Sequence, residues 1–496
     1  MKFIVRLFPE ISVKSKPVRT KLIRQVRQNL ANACERHGIH VAAIAQWDKI
    51  LADFGSPEAG QSEEELRQKA ESELASLPGI HSFMEVREHE FQTLDDLYEK
   101  IKEECGPRIV GHTFAMRVRR RGQHNFTSQQ AERILGGKLG SDYENRGVCL
   151  DDPEVTVNVE IENQKAYVTG ERHEGMGGFP VGTQGEVFSL ISGGFDSGVS
   201  TYLLMHRGCR VNFLFFNLGG TAHELGVKEE AYYLWDRYAA SHKVRFVTVP
   251  FEKVVGQILE RTHHGVRGVI LKRMMMRAGE LICRRFHAEA LVTGESLGQV
   301  SSQTLTNLSH IDSVTPFLIL RPLISMDKQQ IIDAARRIGT AGFAERMPEY
   351  CGVISDHPNV CPRRSFVEEE EAKMDAGLIE EAAGSARAVD IRDVPEDIAR
   401  IREEVTEVRS LAEGVCVIDV RAPDDQAKAP LNVPGHEVIS MPFYKVAAQF
   451  GSLDMAKTYA LYCDQGVMST MQAKQLKEMG HHNVQVWRPS ACAVKN

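Results

Sequence analysis

Two short stretches of this 496-residue chain combine residue types and spacing suited to chemistry. The first is Ser192-Gly193-Gly194-Phe195-Asp196-Ser197, entered from the strand-like run Glu186–Ile191 and left through a stretch with helical spacing. Glycines let backbone N–H groups approach an anion, serines add hydroxyl donors, and the amino end of a helix adds positive potential. This is a phosphate cradle. It lacks the Lys of G-x-x-x-x-G-K-[ST], so γ-phosphate hydrolysis is not implied. The second is Cys463, delivered by Tyr459-Ala460-Leu461-Tyr462 and followed by Asp464-Gln465-Gly466-Val467-Met468-Ser469 and a helical stretch. A thiol between a strand end and a helix amino end has N–H donors that favour a thiolate or persulfide.

The elements around these stretches fix the fold class. From Glu186 onward, strand-like runs (186–191, 210–216, 244–249, 290–293) alternate with helical ones (197–207, 224–241, 251–262, 268–287). That rhythm predicts a doubly wound parallel α/β domain over residues 173–390. The stretch Glu171–Gly185 is dense in glycine and proline, which suits a hinge. Ahead of it, strands near 2–8, 41–45, 50–54, 82–87, 113–119, 154–161 and 165–170 mix with helices near 17–36, 63–76, 93–104 and 128–140. This predicts α+β structure in two small units. Behind the central domain, Glu368–Glu371 begins an acidic helical segment with little strand content. Strands at 415–420, 436–440, 458–462 and 484–487 then predict a small α/β domain, so the whole chain reads as multidomain α/β and α+β.

Composition narrows the partners. Ten cysteines without a C-x-x-C pair exclude a disulfide scaffold and a zinc ribbon, so any disulfide should be catalytic or transient. No apolar run is long enough for a membrane helix and no signal peptide fits the start, which predicts a cytoplasmic protein with no membrane partner. The net charge is −7, yet residues 1–30 hold eight basic side chains (Lys2, Arg6, Lys14, Lys16, Arg19, Lys21, Arg24, Arg27) against Glu10 alone. A second island, Arg108, Arg117, Arg119, Arg120 and Arg121, contains no acid. Basic islands in an acidic chain mark a polyanion partner for the front.

S-G-G-F-D-S resembles the signature of the PP-loop ATP pyrophosphatases, which grip the pyrophosphate of ATP while a substrate oxygen attacks the α-phosphorus. The resemblance implies that Leu190, Ile191, Ser192, Gly193, Gly194 and Ser197 bind ATP and that Asp196 serves Mg2+ or the leaving phosphate. It carries over Gly294 and Gln303 from the polar block Thr293–Thr304 as nucleotide positions, and Lys272 as a phosphate contact. Arg321 and Lys328 would steady the charge of the activated intermediate. No resident metal site is assigned.

The Cys463 loop is similar to the Cys-x-x-Gly-x-x-Ser loop of rhodanese domains, and Asp419-Val420-Arg421 resembles their Asp-Val-Arg motif. Met468 stands where many rhodaneses carry Arg, which suits a protein-bound persulfide rather than thiosulfate. Phe114–Glu174 is similar to a THUMP domain. The order of modules resembles the family of bacterial tRNA 4-thiouridine synthases over essentially the whole chain. The resemblance implies a ferredoxin-like domain at 1–67, a THUMP domain at 68–172 that binds tRNA through Arg117, Arg119, Arg120 and Arg121, a PP-loop domain at 173–390, a helical linker at 391–410 and a rhodanese domain at 411–489. It implies adenylation of uridine O4 at position 8 of tRNA, sulfur transfer from a Cys463 persulfide loaded by a cysteine desulfurase, and a redox-active Cys351–Cys463 disulfide opened by a thiol reductant. Cys361 is a nearby rival for the Cys351 role. Whether Cys351 frees sulfide or resolves the spent thiol stays open at this point. The family also passes sulfur to a carrier protein for thiamine thiazole synthesis. A PP-loop ligase or a persulfide relay without a tRNA role is the alternative.

Overall fold

The computed structural model describes residues 1–46, 49–57, 60–218, 220–347, 357–403, 406–421, 426–427, 429–463 and 467–489. The chain divides into two compact units, Met1–Thr183 and Gln184–Asn496.

In the first unit, strands β1 (Lys2–Leu7), β2 (Ala42–Ala45), β3 (Lys49–Asp53), β4 (Ile80–Glu90), β5 (Phe114–Arg121), β6 (Val155–Glu162) and β7 (Lys165–Glu174) form one sheet in the order β2-β3-β1-β4-β7-β6-β5. The two small units expected in this region each have a core but share this sheet. Helices α1 (Lys16–Arg36) and α2 (Glu63–Ser76) cover one half, with Phe3, Val26, Leu30, Leu74 and Phe83 between them. Helices α3 (Leu94–Ile109) and α4 (Ser128–Asp142) cover the other, around Leu97, Ile101, Phe114, Leu135 and Val157. The 11-residue β4 spans both halves, pairing with β1 on one side and β7 on the other. Ser62 with Glu65 and Thr127 with Gln130 close capping boxes that start α2 and α4 where the sequence predicts.

The stretch expected to be a hinge is tied down over much of its length. Residues up to Glu174 complete β7, Gly175 and Gly177 donate to the carbonyls of His81 and Ile80, and Asn29 Nδ2 donates to Val181 O at 3.0 Å. Backbone groups satisfied by a neighbouring strand end override the local breaker signal of glycine.

The second unit holds two sheets. Strands β8 (Glu186–Leu190), β9 (Arg210–Asn217), β10 (Arg245–Pro250), β11 (Ala290–Val292), β12 (Leu318–Leu320) and β13 (Arg387–Asp390) lie in the order β12-β11-β8-β9-β10-β13. All neighbours are parallel except β13 on β10. The interior strands read as continuous apolar runs because helices cover both faces of such a sheet; seven of eight β9 residues are buried. The helices that bear on the site are α5 (Phe195–His206), α6 (Gly220–Tyr238), α7 (Arg267–Phe286), α8 (Leu305–Asp312), α9 (Lys328–Ile338) and α10 (Val394–Glu403). β12 and β13 have no counterpart in the sequence reading. They are three- and four-residue edge strands carried by backbone pairing, and β13 falls inside the segment expected to lack strands.

The second sheet, β14 (Glu407–Val408), β15 (Cys416–Asp419), β16 (Val438–Ser440), β17 (Tyr459–Tyr462) and β18 (Val484–Trp487), runs β14-β18-β17-β15-β16 with every pair parallel. Helix α11 (Val467–Glu478) packs on it and also against α6 of the nucleotide-loop domain. The acidic linker helix α10 is pinned as well, because Asp397 pairs with the buried Lys228 of α6.

Glu230 of α6 is fully buried, and neither carboxylate oxygen finds a hydrogen-bond partner among the described residues. A Cβ on Gly198 of α5 would collide with Glu230 Oε1, so only glycine lets the two helices approach this closely. Burial pushes the Glu230 carboxyl up from 4.5 to about 8. The unfolded chain therefore releases a proton that the folded chain keeps, and stability falls as pH rises from 4.5 to about 8. Glu230→Gln abolishes that titration. Its advantage over wild type in urea unfolding should widen by on the order of a few kcal/mol between pH 5 and pH 8; a pH-independent difference would contradict an ionisable Glu230.

Candidate functional site

The phosphate loop begins where β8 ends. Ile191 N donates to Leu214 O at 3.0 Å, which extends the strand path and buries the Ile191 side chain, while Leu190 packs on the core. Gly193 follows at φ +84°, and Gly194 is the N-cap of α5. The helix therefore starts at Phe195, two residues before the sequence reading placed it. No side chain caps it. The first-turn N–H groups of a helix have no intrahelical acceptor, so an uncapped amino end at an open loop is an anion site. Ser197 Oγ donates to Gly194 O at 3.0 Å and lies 3.3 Å from Ser192 N and 3.4 Å from Ser192 Oγ, which closes the loop on itself. A Cβ on Gly193 would stand 2.9 Å from Met347 Cγ and 3.3 Å from Val227 Cγ2, so Met347 and α6 wall this side. A Cβ on Gly194 would meet nothing nearer than 3.9 Å. Among the described residues, the open space lies over Gly194.

The Asp196 carboxylate lies between two donors. Lys328 Nζ stands 3.0 Å from Oδ1 and Gln299 Nε2 donates to Oδ2 at 2.8 Å. Lys328 is the first residue of α9, whose capping box joins Asp327 and Gln330. Gly294 lies against the same turn; a Cβ there would be 2.7 Å from the Asp196 carbonyl carbon. Asp196, Lys328, Gly294 and the loop are thus brought together, as expected from the sequence.

Lys272 and Gln303 sit differently. Lys272 Nζ of α7 is 3.9 Å from Glu295 Oε1, and Arg321 Nε donates to Glu295 Oε2 at 2.8 Å. Arg321 also pairs with Asp312. Burial works against its charge, yet Asp312 and Glu295 hold the guanidinium above its ordinary range. Gln303 ties the polar block together: its Oε1 accepts from Ser296 N at 3.3 Å and its carbonyl from Gly298 N at 2.8 Å. Its amide braces the loop that carries Gln299. Gln299, Glu295 and His223 were not singled out from the sequence. The first two lie inside the polar block that was, whereas His223 lies in a helix with no local signature. His223 Nε2 donates to Ser192 O at 3.0 Å.

Cys463 follows β17 directly and is buried. Ser469 N, in the first turn of α11, donates to its Sγ at 3.3 Å, and Ser469 Oγ lies 3.4 Å away. These are the donors expected at a helix amino end. Asp419 and Arg421 form a buried ion pair at 2.7 Å, and the guanidinium lies over the ring of Tyr462, the residue before Cys463. Cys351 lies outside the described residues. Cys361 is exposed, with Thr306 Oγ1 3.7 Å from its sulfur. Burial pushes the thiols of Cys105 and Cys283 up to about 12 and those of Cys209 and Cys416 up to about 11, which suits inert packing.

In the first unit, β5 is an edge strand beside β6. Arg117 and Arg119 project to one face, into a groove of about 670 Å3 that also receives Arg6, Arg108 and Arg172. Arg6 pairs with Glu160, while Arg119 makes no ion pair among the described residues. Arg120 projects to the other face, toward Gly122 O and His124. Arg121 ends the strand, exposed. On α1, Lys16, Lys21, Arg24 and Arg27 are exposed along the helix, giving a second basic surface.

Residues 182–376 match the family model described as Thiamine biosynthesis protein (ThiI), and residues 91–171 match the THUMP domain. Fold and site thus define a multidomain α/β protein of the ThiI class with a THUMP domain. The chain is 49% identical to a tRNA sulfurtransferase of Tolumonas auensis over 98% of this chain and 100% of that one, and 49% identical to one of Klebsiella pneumoniae over 99% and 100%. It belongs to the tRNA sulfurtransferase family. The crystal structure of a 4-thiouridine synthetase–RNA complex with bound ATP shares the fold, with a TM-score of 0.68 at 24% identity over 79% of this chain and 99% of that one.

Proposed function

We propose that this chain uses ATP to transfer persulfide sulfur to uridine 8 of tRNA, forming 4-thiouridine. One observation carries the reading: the helix that follows the Cys463 loop packs on the helix that walls the phosphate loop. Met347, four residues before Cys351, walls Gly193, and α11, which follows the Cys463 loop, packs on the helix whose His223 and Val227 touch Ser192 and Gly193. Uracil O4 is a poor leaving group. Attack by O4 on the α-phosphorus of ATP gives adenylated O4 and pyrophosphate, which the uncapped amino end of α5 receives. The terminal sulfur of a Cys463 persulfide then adds to C4 and AMP departs. Cys351 attacks the Cys463 sulfur either beforehand, releasing sulfide that adds to C4 in its place, or afterwards, breaking the S–S bond of the Cys463–S–S–C4 linkage and freeing 4-thiouridine; both leave a Cys351–Cys463 disulfide for a thiol reductant.

Mg2+, when bound, neutralises charge on the leaving pyrophosphate. Asp196, whose carboxylate lies between Lys328 Nζ and Gln299 Nε2, would hold it, with nucleotide oxygens and water completing the shell. Residues 1–172 supply the tRNA-binding surface, 411–489 the rhodanese-type sulfur carrier and 391–410 the connection. No described helix is long and apolar enough to cross a membrane. The Thiamine biosynthesis description of the matching family favours a second task, passing sulfur from Cys463 to a carrier protein.

The test is turnover with tRNA, ATP, Mg2+, cysteine and a cysteine desulfurase, read by the absorbance of thiolated tRNA. Product that requires both ATP and the desulfurase supports the proposal, and product without ATP defeats it. Arg119→Glu should weaken tRNA binding about tenfold and flatten its salt dependence; unchanged affinity would remove the groove from the tRNA surface.

A further inference from the structure

We infer that His223 is a positioning residue for the nucleotide loop: its Nε2–H fixes the Ser192 carbonyl and thereby turns the Gly193 N–H toward the ATP phosphates. The inference rests on the functional reading above and deepens it. A carbonyl only accepts, so the 3.0 Å contact to Ser192 O places the proton on Nε2. The ring is buried, which pushes the imidazole down to about 4 and keeps it neutral near pH 7. Phe215 of β9 meets it edge to face, with centroids 4.9 Å apart at 85°, and holds its orientation.

The consequence comes from the peptide bond. The Ser192–Gly193 peptide is planar and trans, so its C=O and N–H point in opposite directions. With the oxygen held toward α6, the Gly193 N–H points away from α6. Glycine at φ +84° tolerates either sign of φ, so the residue itself does not choose between this peptide orientation and the flipped one. In the flipped state a carbonyl oxygen would face the anion. Neither Ser192 nor Ser197 prevents that flip, because their mutual contacts use Ser192 N and Oγ and not its carbonyl. His223 is the described side chain that holds the carbonyl, and it comes from a different element.

The experiment uses the full chain and measures pyrophosphate release with tRNA, ATP, Mg2+, cysteine and a cysteine desulfurase, together with desulfurase-dependent persulfide loading of Cys463 in the absence of ATP. His223→Leu should raise the KM for ATP about tenfold or more while leaving loading unchanged. His223→Gln, whose amide N–H can reach the same carbonyl, should return to within about threefold of wild type. A wild-type KM in His223→Leu overturns the inference, and so does His223→Gln as impaired as His223→Leu, since packing rather than the donor would then matter. Should His223→Leu fail to fold, His223→Asn replaces it. Its shorter amide falls short of Ser192 O, so a KM equal to that of His223→Gln overturns the inference. Wild type that releases no pyrophosphate defeats the functional reading itself, a result distinct from all of these.

Discussion

Cys463→Ala should lower tRNA thiolation by on the order of 1,000-fold or more while a single round of tRNA-dependent pyrophosphate release from ATP continues. The two halves separate because the sulfur nucleophile and the nucleotide loop sit on different sheets, joined through α6 and α11. Removing the thiol takes away the atom that carries sulfur and nothing that holds ATP. The stability cost should be small, since alanine keeps an apolar group in the buried pocket beside Ser469. Thiolated tRNA is read by absorbance, and pyrophosphate by chromatography of the same reaction. Full thiolation in the variant would move the sulfur route to another cysteine, with Cys361 the exposed thiol among the described residues. Loss of pyrophosphate release together with thiolation would mean that adenylation waits for a loaded Cys463.

Asp196→Ala should give the reverse pattern. Adenylation, and thiolation with it, should fall by on the order of 100- to 1,000-fold, whereas persulfide loading of Cys463 persists. Asp196 gathers Lys328 and Gln299. Without the carboxylate, Lys328 loses its partner and swings into solvent, and the ion that travels with ATP loses its protein ligand. Transfer of sulfur to a carrier protein needs none of these groups, so that task should survive in Asp196→Ala and vanish in Cys463→Ala. If Asp196→Ala adenylates tRNA at the wild-type rate, the carboxylate is an ordinary helix-start acid and the reaction centre lies elsewhere on the loop.

Much of this protein is legible in the amino-acid sequence, for a common physical reason. Strand-turn-helix units such as β8–Ser192–α5 and β17–Cys463–α11 are local: apolar spacing, glycines and chemically committed residues occupy one short window, so the sequence displays them whole. The capped helices α2 and α4 are legible on the same ground. The basic front and its clustered arginines are equally visible, because charge needs no partner to be counted.

Contacts between distant segments belong to the tertiary structure. Only the fold separates Arg117 and Arg119 from Arg120, since adjacent strand residues point to opposite faces and the groove takes one face alone. Only the fold turns the glycine-rich stretch after Glu171 into a paired strand end, because its backbone partners lie some ninety residues away in β4. The edge strands β12 and β13 are held by neighbours that the local sequence does not contain. His223 is the sharpest case. Its window is that of an ordinary helix, and its meaning arises where packing sets its imidazole beside a carbonyl 31 residues earlier in the chain. The sequence by itself determined which groups can do chemistry; packing decided which of them meet, because a hydrogen bond or a close glycine contact depends on positions in space that residue spacing along the chain does not encode.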